Sequence, residues 1–297
     1  MPSIRLEMAA APAAVNLAGL LVPIPPDTLH QRLVSFEHSV GASAIPCQAS
    51  DSEQRALFVP ASVGAHARFD VHFEELGGVS PAQHFAPAIN RYVVAAPELI
   101  EAIRQLVDGA SSDREKLMRI IVFTASLFEY DHPPVKYYDG KDAIPLLREM
   151  TKGSCVDINT FLMSSLYSIG IPAAYYAGCY FEDGKSPVVD RSHCWVSTFT
   201  DGEQQDWDIA HHITAGTREV KPGLNPKPGT RFAMSCGRGL KFRLGARDVW
   251  VPHLGYPLWV RADGRHDRAQ ALATLIKEGK SDDLGKRIPR EGQELRV

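Results

Sequence analysis

One stretch constrains this chain more than any other: KGSCVDINTF, Lys152 to Phe161. A cysteine follows a Gly-Ser pair. From it onward Val156, Ile158, Phe161, Leu162, Leu166 and Ile169 recur mostly at three- and four-residue intervals. That spacing predicts a helix beginning at Cys155 and stopping at Gly170 and Pro172. An exposed thiol ionises near pH ~8.5, so little thiolate exists at neutral pH. A helix N-terminus lowers that value, and so does an adjacent imidazolium. Cys155 has the first by position, and its backbone N–H would face an oxyanion formed on an attacked carbonyl. Gly153 and Ser154 bring little bulk to the sulfur and read as a substrate or oxyanion region. By itself, however, a free cysteine is more often a small buried hydrophobe.

What decides between the two lies downstream. His193 starts the strand-like segment HCWVSTF, 38 residues after Cys155. QQDWDI, Gln204 to Ile209, follows across Thr200-Asp201-Gly202-Glu203, a hairpin signal. In an antiparallel pair the start of one strand lies beside the end of the next, so His193 and Asp208 are expected as neighbours. A carboxylate there would orient the imidazole. Asp206 competes for this role, since alternation puts both aspartates on one strand face. Trp195 is expected to pack near the site, Cys179 and Cys194 to lie in the core, and Asp157 to support the helix dipole or nearby backbone.

The surrounding chain predicts an α+β order. Residues 1–95 read as a β-rich, sandwich-like domain, with strands in Arg32–Val40, Arg55–Ala61 and Ala67–Leu76. Helices are expected from Pro97 to Gly109 and from about Ser112 to Phe128, the second opened by Ser112 and Glu115 as a capping box. A short helix is expected over residues 143–150. Strands then follow at 173–181, 193–199 and 204–209, with a further pair near KFRLG and DVWVP. The core is expected to span 96–262, and 263–297 to form a polar, peripheral tail.

These pieces together resemble the transglutaminase-like superfamily of cysteine enzymes. The resemblance rests on Gly153-Ser154-Cys155-Val156-Asp157, Leu166 to Ala173, His193-Cys194-Trp195 and Asp208, and covers residues 90–212. It implies a papain/transglutaminase-like core, a cysteine-bearing helix on an antiparallel sheet, preceded by a small β-rich domain. It also implies a Cys155-His193-Asp208 triad that transfers an acyl group from an amide, peptide or ester bond through a thioester, with no cofactor. Hydrolysis is favoured over transfer to an amine. The chain departs from the family where Gln204 stands in place of a tryptophan and where Ile209-Ala210-His211-His212 replaces Pro-Thr. The sequence does not identify a second oxyanion donor; Tyr137 and Tyr138 are the candidates.

Two other readings compete. Cys155-Val156-Asp157-Ile158-Asn159 is reminiscent of arylamine N-acetyltransferases, which use coenzyme A, and the same fold could serve as a binding module. Zinc held by His211 and His212 with His193, Cys155 or Cys236 is disfavoured, because adjacent histidines on a strand point apart.

Composition bounds the partners. A net charge of −3 gives no basic footprint for nucleic acid or an anionic membrane. The apolar run Ala9–Ile24 is broken by Pro12 and Asn16 and is too short to span a bilayer. A signal peptide there is the lesser reading. Five widely spaced cysteines without a CxxC pair suggest reduced thiols and a cytoplasmic location.

Overall fold

The computed structural model describes residues 1–8, 16–64, 66–75, 80–86, 88–223 and 225–277. The β-rich first part holds β1 (Ser3–Met8), β2 (Leu17–Pro23), β3 (Arg32–His38), β4 (Ile45–Gln48), β5 (Arg55–Pro60), a helical turn α1 (Ala61–Gly64) and β6 (Arg68–Glu74). In β6, Phe69, Val71 and Phe73 point inward while Asp70 and His72 are only half-buried, the alternation expected of a half-buried strand.

The middle of the chain follows with α2 (Pro97–Val107), α3 (Asp113–Ser126), β7 (Phe128–Tyr130), β8 (Thr151–Gly153), α4 (Cys155–Tyr167), β9 (Ala173–Glu182), β10 (Val188–Val189), β11 (Ser192–Thr200), β12 (Glu203–Trp207), α5 (Ile209–Thr214) and β13 (Gly229–Cys236). At the start of α3 the Ser112 hydroxyl accepts from the Glu115 N–H, whereas the Glu115 carboxylate reaches back to the N–H of Ser111. Gly109 at φ 68° and Gly170 at φ 78° close α2 and α4, since glycine takes this left-handed conformation without a Cβ penalty.

The helix expected over residues 143–150 is absent. Ile144 instead forms a bridge with Ala95, donating to Val94 and accepting from Ala96, and Pro145 has no N–H to carry a helix on.

The remaining strands are β14 (Leu240–Leu244), β15 (Arg247–Val251), β16 (Leu258–Arg261), β17 (His266–Arg268) and β18 (Ala271–Ile276). Here the structure corrects the expected boundaries. β18 pairs with β1, and β16 pairs with β2, so the β-rich part is built from both ends of the described chain. The segment expected as a peripheral tail from residue 263 is strand as far as Ile276. Ala271, Ala273 and Leu275 alternate inward there, a period-two signal muted by two small residues. Residues 278–297 lie outside the described part.

Two five-stranded sheets result, ordered β10-β18-β1-β6-β3 and β17-β16-β2-β5-β4. A four-stranded antiparallel sheet, β12-β11-β9-β13, packs against both the β-rich part and the helices. Its Tyr175, Ala177, Cys194 and Val196 face α2, α3 and α4, while Cys179, Phe181, Phe232 and Met234 join the core of the β-rich part. Eleven of the thirteen residues of α4 are buried, the mark of a helix enclosed on every side. No helix among the described residues is long and apolar enough to cross a membrane.

Candidate active site

Cys155 is the first residue of α4, and the residues before it are fully engaged. Asp157 Oδ2 accepts from the Ser154 N–H at 2.8 Å, the Ser154 hydroxyl at 2.7 Å and Lys136 Nζ at 3.1 Å. Asp157 Oδ1 accepts from the Tyr138 hydroxyl at 3.0 Å, and the Tyr137 hydroxyl donates to the Asp157 carbonyl. A Cβ on Gly153 would sit 2.8 Å from the Phe128 ring. Gly153, Ser154, Tyr137 and Tyr138, read above as substrate or oxyanion groups, are therefore parts of the helix cap. They fix the start of α4. Asp157 has the supporting role expected of it.

Downstream, the imidazole of His193 is held by Asp208. Its Nε2 lies 2.9 Å from Asp208 Oδ2, and the ring is near enough to Cys155 for each to shift the other's ionisation. Nε2 therefore carries the proton in the neutral ring, and Nδ1 is left unprotonated. Asp208 reaches His193 because the chain leaves β12 after Trp207, making Asp208 the N-cap of α5, where it also accepts from the His211 N–H at 3.0 Å. Strand alternation could not have separated it from Asp206. Asp206 is instead bound to His30 Nε2 at 2.7 Å.

Two residues at the site were not foreseen in these roles. Arg231, on β13, donates from Nε to Asp208 Oδ2 at 2.8 Å, with Nη2 at 2.7 Å from the same oxygen. The register brings it there: Arg231 faces Tyr180 on β9, and Gly178 on β9 faces His193 on β11. Gly178 permits that close approach, since a Cβ on it would lie 1.9 Å from the Phe232 carbonyl oxygen. His211 stacks on His193, ring centroids 4.0 Å apart and 4° from parallel, with Nδ1 at 3.0 Å from Asp208. Trp195 lies further along the same stack, 6.4 Å from His193.

Electrostatics follow from burial and these contacts. Cys155 is held well below the ordinary thiol range by its hydrogen bonds from Cys194 and His193, which outweigh burial. Burial alone would lower His193, but the Asp208 charge and hydrogen bond, with Cys155, raise it to about 10. Asp208 stays well below the carboxylate range despite burial, because His193, His211 and Arg231 all favour its charged form. His211 is lowered, first by burial and then by the charge on His193. The lowered thiol and the raised imidazole both favour their charged forms, beside a carboxylate–guanidinium pair.

His193, Asp208 and His211 could in principle ligate a metal, since their ligand atoms lie within 4.8 Å of one another. The Arg231 guanidinium already occupies the Asp208 oxygen they would share, and a cation there would meet its positive charge directly. The donor set therefore fits a buried carboxylate–guanidinium pair better than a metal. The expected partners of such a site are also scattered: His212 turns to the Asp208 carbonyl, and Cys236 lies in a separate cluster.

Comparison with known proteins places this geometry. Residues 100–209 match the sequence model of the Transglutaminase-like superfamily. That segment belongs to the transglutaminase-like superfamily. The transglutaminase-like fold extends beyond it. A candidate cysteine protease from Cytophaga hutchinsonii superposes with a TM-score of 0.50 at 12% identity, over 93% of this chain and 97% of that one. A candidate protease from Parabacteroides distasonis is 12% identical over 76% of this chain and 49% of that one, with a TM-score of 0.31. The periplasmic domain of TgpA from Pseudomonas aeruginosa is 14% identical over 72% and 88%, with a TM-score of 0.36. A comparison with curated protein sequences gave no significant match.

Proposed function

We propose that the protein is a cysteine hydrolase of the transglutaminase-like kind, acting on an amide or peptide bond through a Cys155-His193-Asp208 triad. The observation that carries this reading is the His193 imidazole, bound to the Asp208 carboxylate at 2.9 Å and electrostatically coupled to Cys155 at the start of α4. The Cys155 thiolate attacks the carbonyl carbon. His193, as imidazolium, protonates the leaving amine, and a thioester remains on Cys155. The now neutral His193 takes a proton from water, which attacks the thioester and frees the acid. An amine in place of water would give transamidation. The oxyanion would be met by the Cys155 N–H at the start of α4 and by the Tyr130 hydroxyl. β7 pairs with β8 so that Tyr130 faces Gly153, two residues before Cys155.

Alkylation by iodoacetamide tests the nucleophile without a known substrate. A lowered thiol pKa keeps the thiolate present on the acid side, so the rate should stay nearly flat between about pH 6 and 8.5. His193→Asn should return the thiol to ordinary behaviour, slowing labelling at about pH 6 by roughly a hundred-fold. A wild-type rate that climbs with pH like that of a free thiol would refute the reading. A peptide library, incubated with and without added amines and compared with Cys155→Ala, then separates hydrolysis from transfer.

A further inference from the structure

Cys194 takes no part in the bond-making steps above, although it helps to lower the Cys155 thiol, and it lies beside the nucleophile. It is the residue after His193 on β11, pointing to the opposite face, towards α4. Asn159, one turn beyond Cys155 on α4, donates to the Cys194 carbonyl at 2.9 Å and to its sulfur at 3.4 Å. The helix turn that carries Cys155 is thereby pinned against Cys194, and the two cysteines share one core cluster. Of the five cysteines, only these two share a core cluster; Cys179 and Cys236 are buried in others, and Cys47 lies at the edge of a third. Cys155 retains 6% exposure and Cys194 only 1%, so an oxidant arriving from solvent meets Cys155 first.

We propose that Cys194 is the resolving cysteine for Cys155, converting a peroxide-oxidised nucleophile into a reversible Cys155–Cys194 disulfide. The inference rests on Cys155 being the reactive thiolate of the proposed function. In the first step the thiolate attacks one oxygen of a hydroperoxide. The O–O bond breaks, two electrons pass from sulfur to the peroxide, and the departing alkoxide or hydroxide takes the His193 proton. Cys155 is left as a sulfenic acid. In the second step the Cys194 sulfur attacks the Cys155 sulfur. The S–O bond breaks, and the departing hydroxide takes the Cys194 proton and leaves as water. Burial keeps Cys194 protonated, so that proton is available in place. The outcome protects the nucleophile, because a sulfenic acid with no thiol within reach proceeds to the irreversible sulfinic acid.

The test uses the full chain and hydrogen peroxide. Cys155 is first labelled with iodoacetamide in the untreated protein, which checks its reactivity independently. After peroxide, labelling of Cys155 should fall by about ten-fold or more and return on adding dithiothreitol. Non-reducing digestion and mass spectrometry should show the Cys155 and Cys194 peptides joined. In Cys194→Ser the same loss should no longer be reversible, with Cys155 recovered as sulfinic acid. A wild-type protein whose Cys155 labels rapidly, yet passes under peroxide to sulfinic acid with no joined peptide, would overturn this proposal and leave the nucleophile intact. If Cys155 labels no faster than a free thiol, the proposed function fails and this inference with it.

Discussion

His193, His211 and Arg231 all converge on one oxygen of Asp208, so the charge on that carboxylate is shared before catalysis begins. Arg231 then has a definable effect. Part of the Asp208 charge is spent on the guanidinium, and His193 is a better acid than it would be with the whole carboxylate to itself. Arg231→Met should therefore lower kcat by about ten-fold or more and move the alkaline limb of its pH profile upward, because the imidazolium then holds its proton to higher pH. Alkylation of Cys155 should hardly change. Tyr130→Phe should lower kcat by roughly 10² with labelling of Cys155 retained, the mark of a group that acts on the oxyanion and not on the sulfur. Cys155, His193 and Asp208 were legible because each sits at the end of an element that the hydrophobic pattern marks. Arg231 was not. It stands on a strand that follows a stretch rich in Pro, Gly and Lys, and its partner strand β9 lies about fifty residues earlier. Only sheet pairing brings them together.

Among the elements, α4 depends most on its first turn. Asp157 gathers Ser154, Lys136 and Tyr138 at the helix start, and Arg238 adds a second tie by donating to both Thr160 and the Tyr138 hydroxyl. Removing the carboxylate leaves these donors buried without an acceptor. Asp157→Ala should cost about 3–5 kcal/mol, read as a drop in the denaturant midpoint. Asp157→Asn, which keeps the shape and one acceptor oxygen, should cost less. Labelling of Cys155 should slow in the alanine variant even where it is folded, because the sulfur is positioned by that turn. The helix itself was readable from its apolar spacing. The cap was half readable: Asp157 could be assigned to the backbone, but its partners Lys136 and Tyr138 lie in an irregular loop that periodicity cannot place. The same loop explains the helix wrongly expected at 143–150, where the backbone hydrogen bonds go to Val94 and Ala96 instead.

At the scale of the whole molecule, the active-site sheet also packs against a β-rich part that takes strands from both ends of the described chain. Ala273 shows how much depends on this. It is fully buried on β18, opposite Leu6 of β1, in the core that also receives Phe232 and Met234 of β13. Ala273→Asp would place an unpaired charge there and should lower the thermal midpoint by roughly 10 °C. Charge and alternation made the β-rich region legible from residues 32 to 76, but its closing strands were hidden by small, polar or charged residues around Ala271 to Ile276. That closure also sets an order of events during synthesis. Ser3 finds its neighbour in Ile276, so β1 leaves the ribosome long before the strand it must lie against has been made. Contacts this distant in sequence form slowly. The helical core, whose elements are close together in the chain, can assemble first, but the Arg231 strand rests on a surface that is complete only when β18 arrives. A nascent chain would carry Cys155 well before the sheet that holds Arg231 is complete.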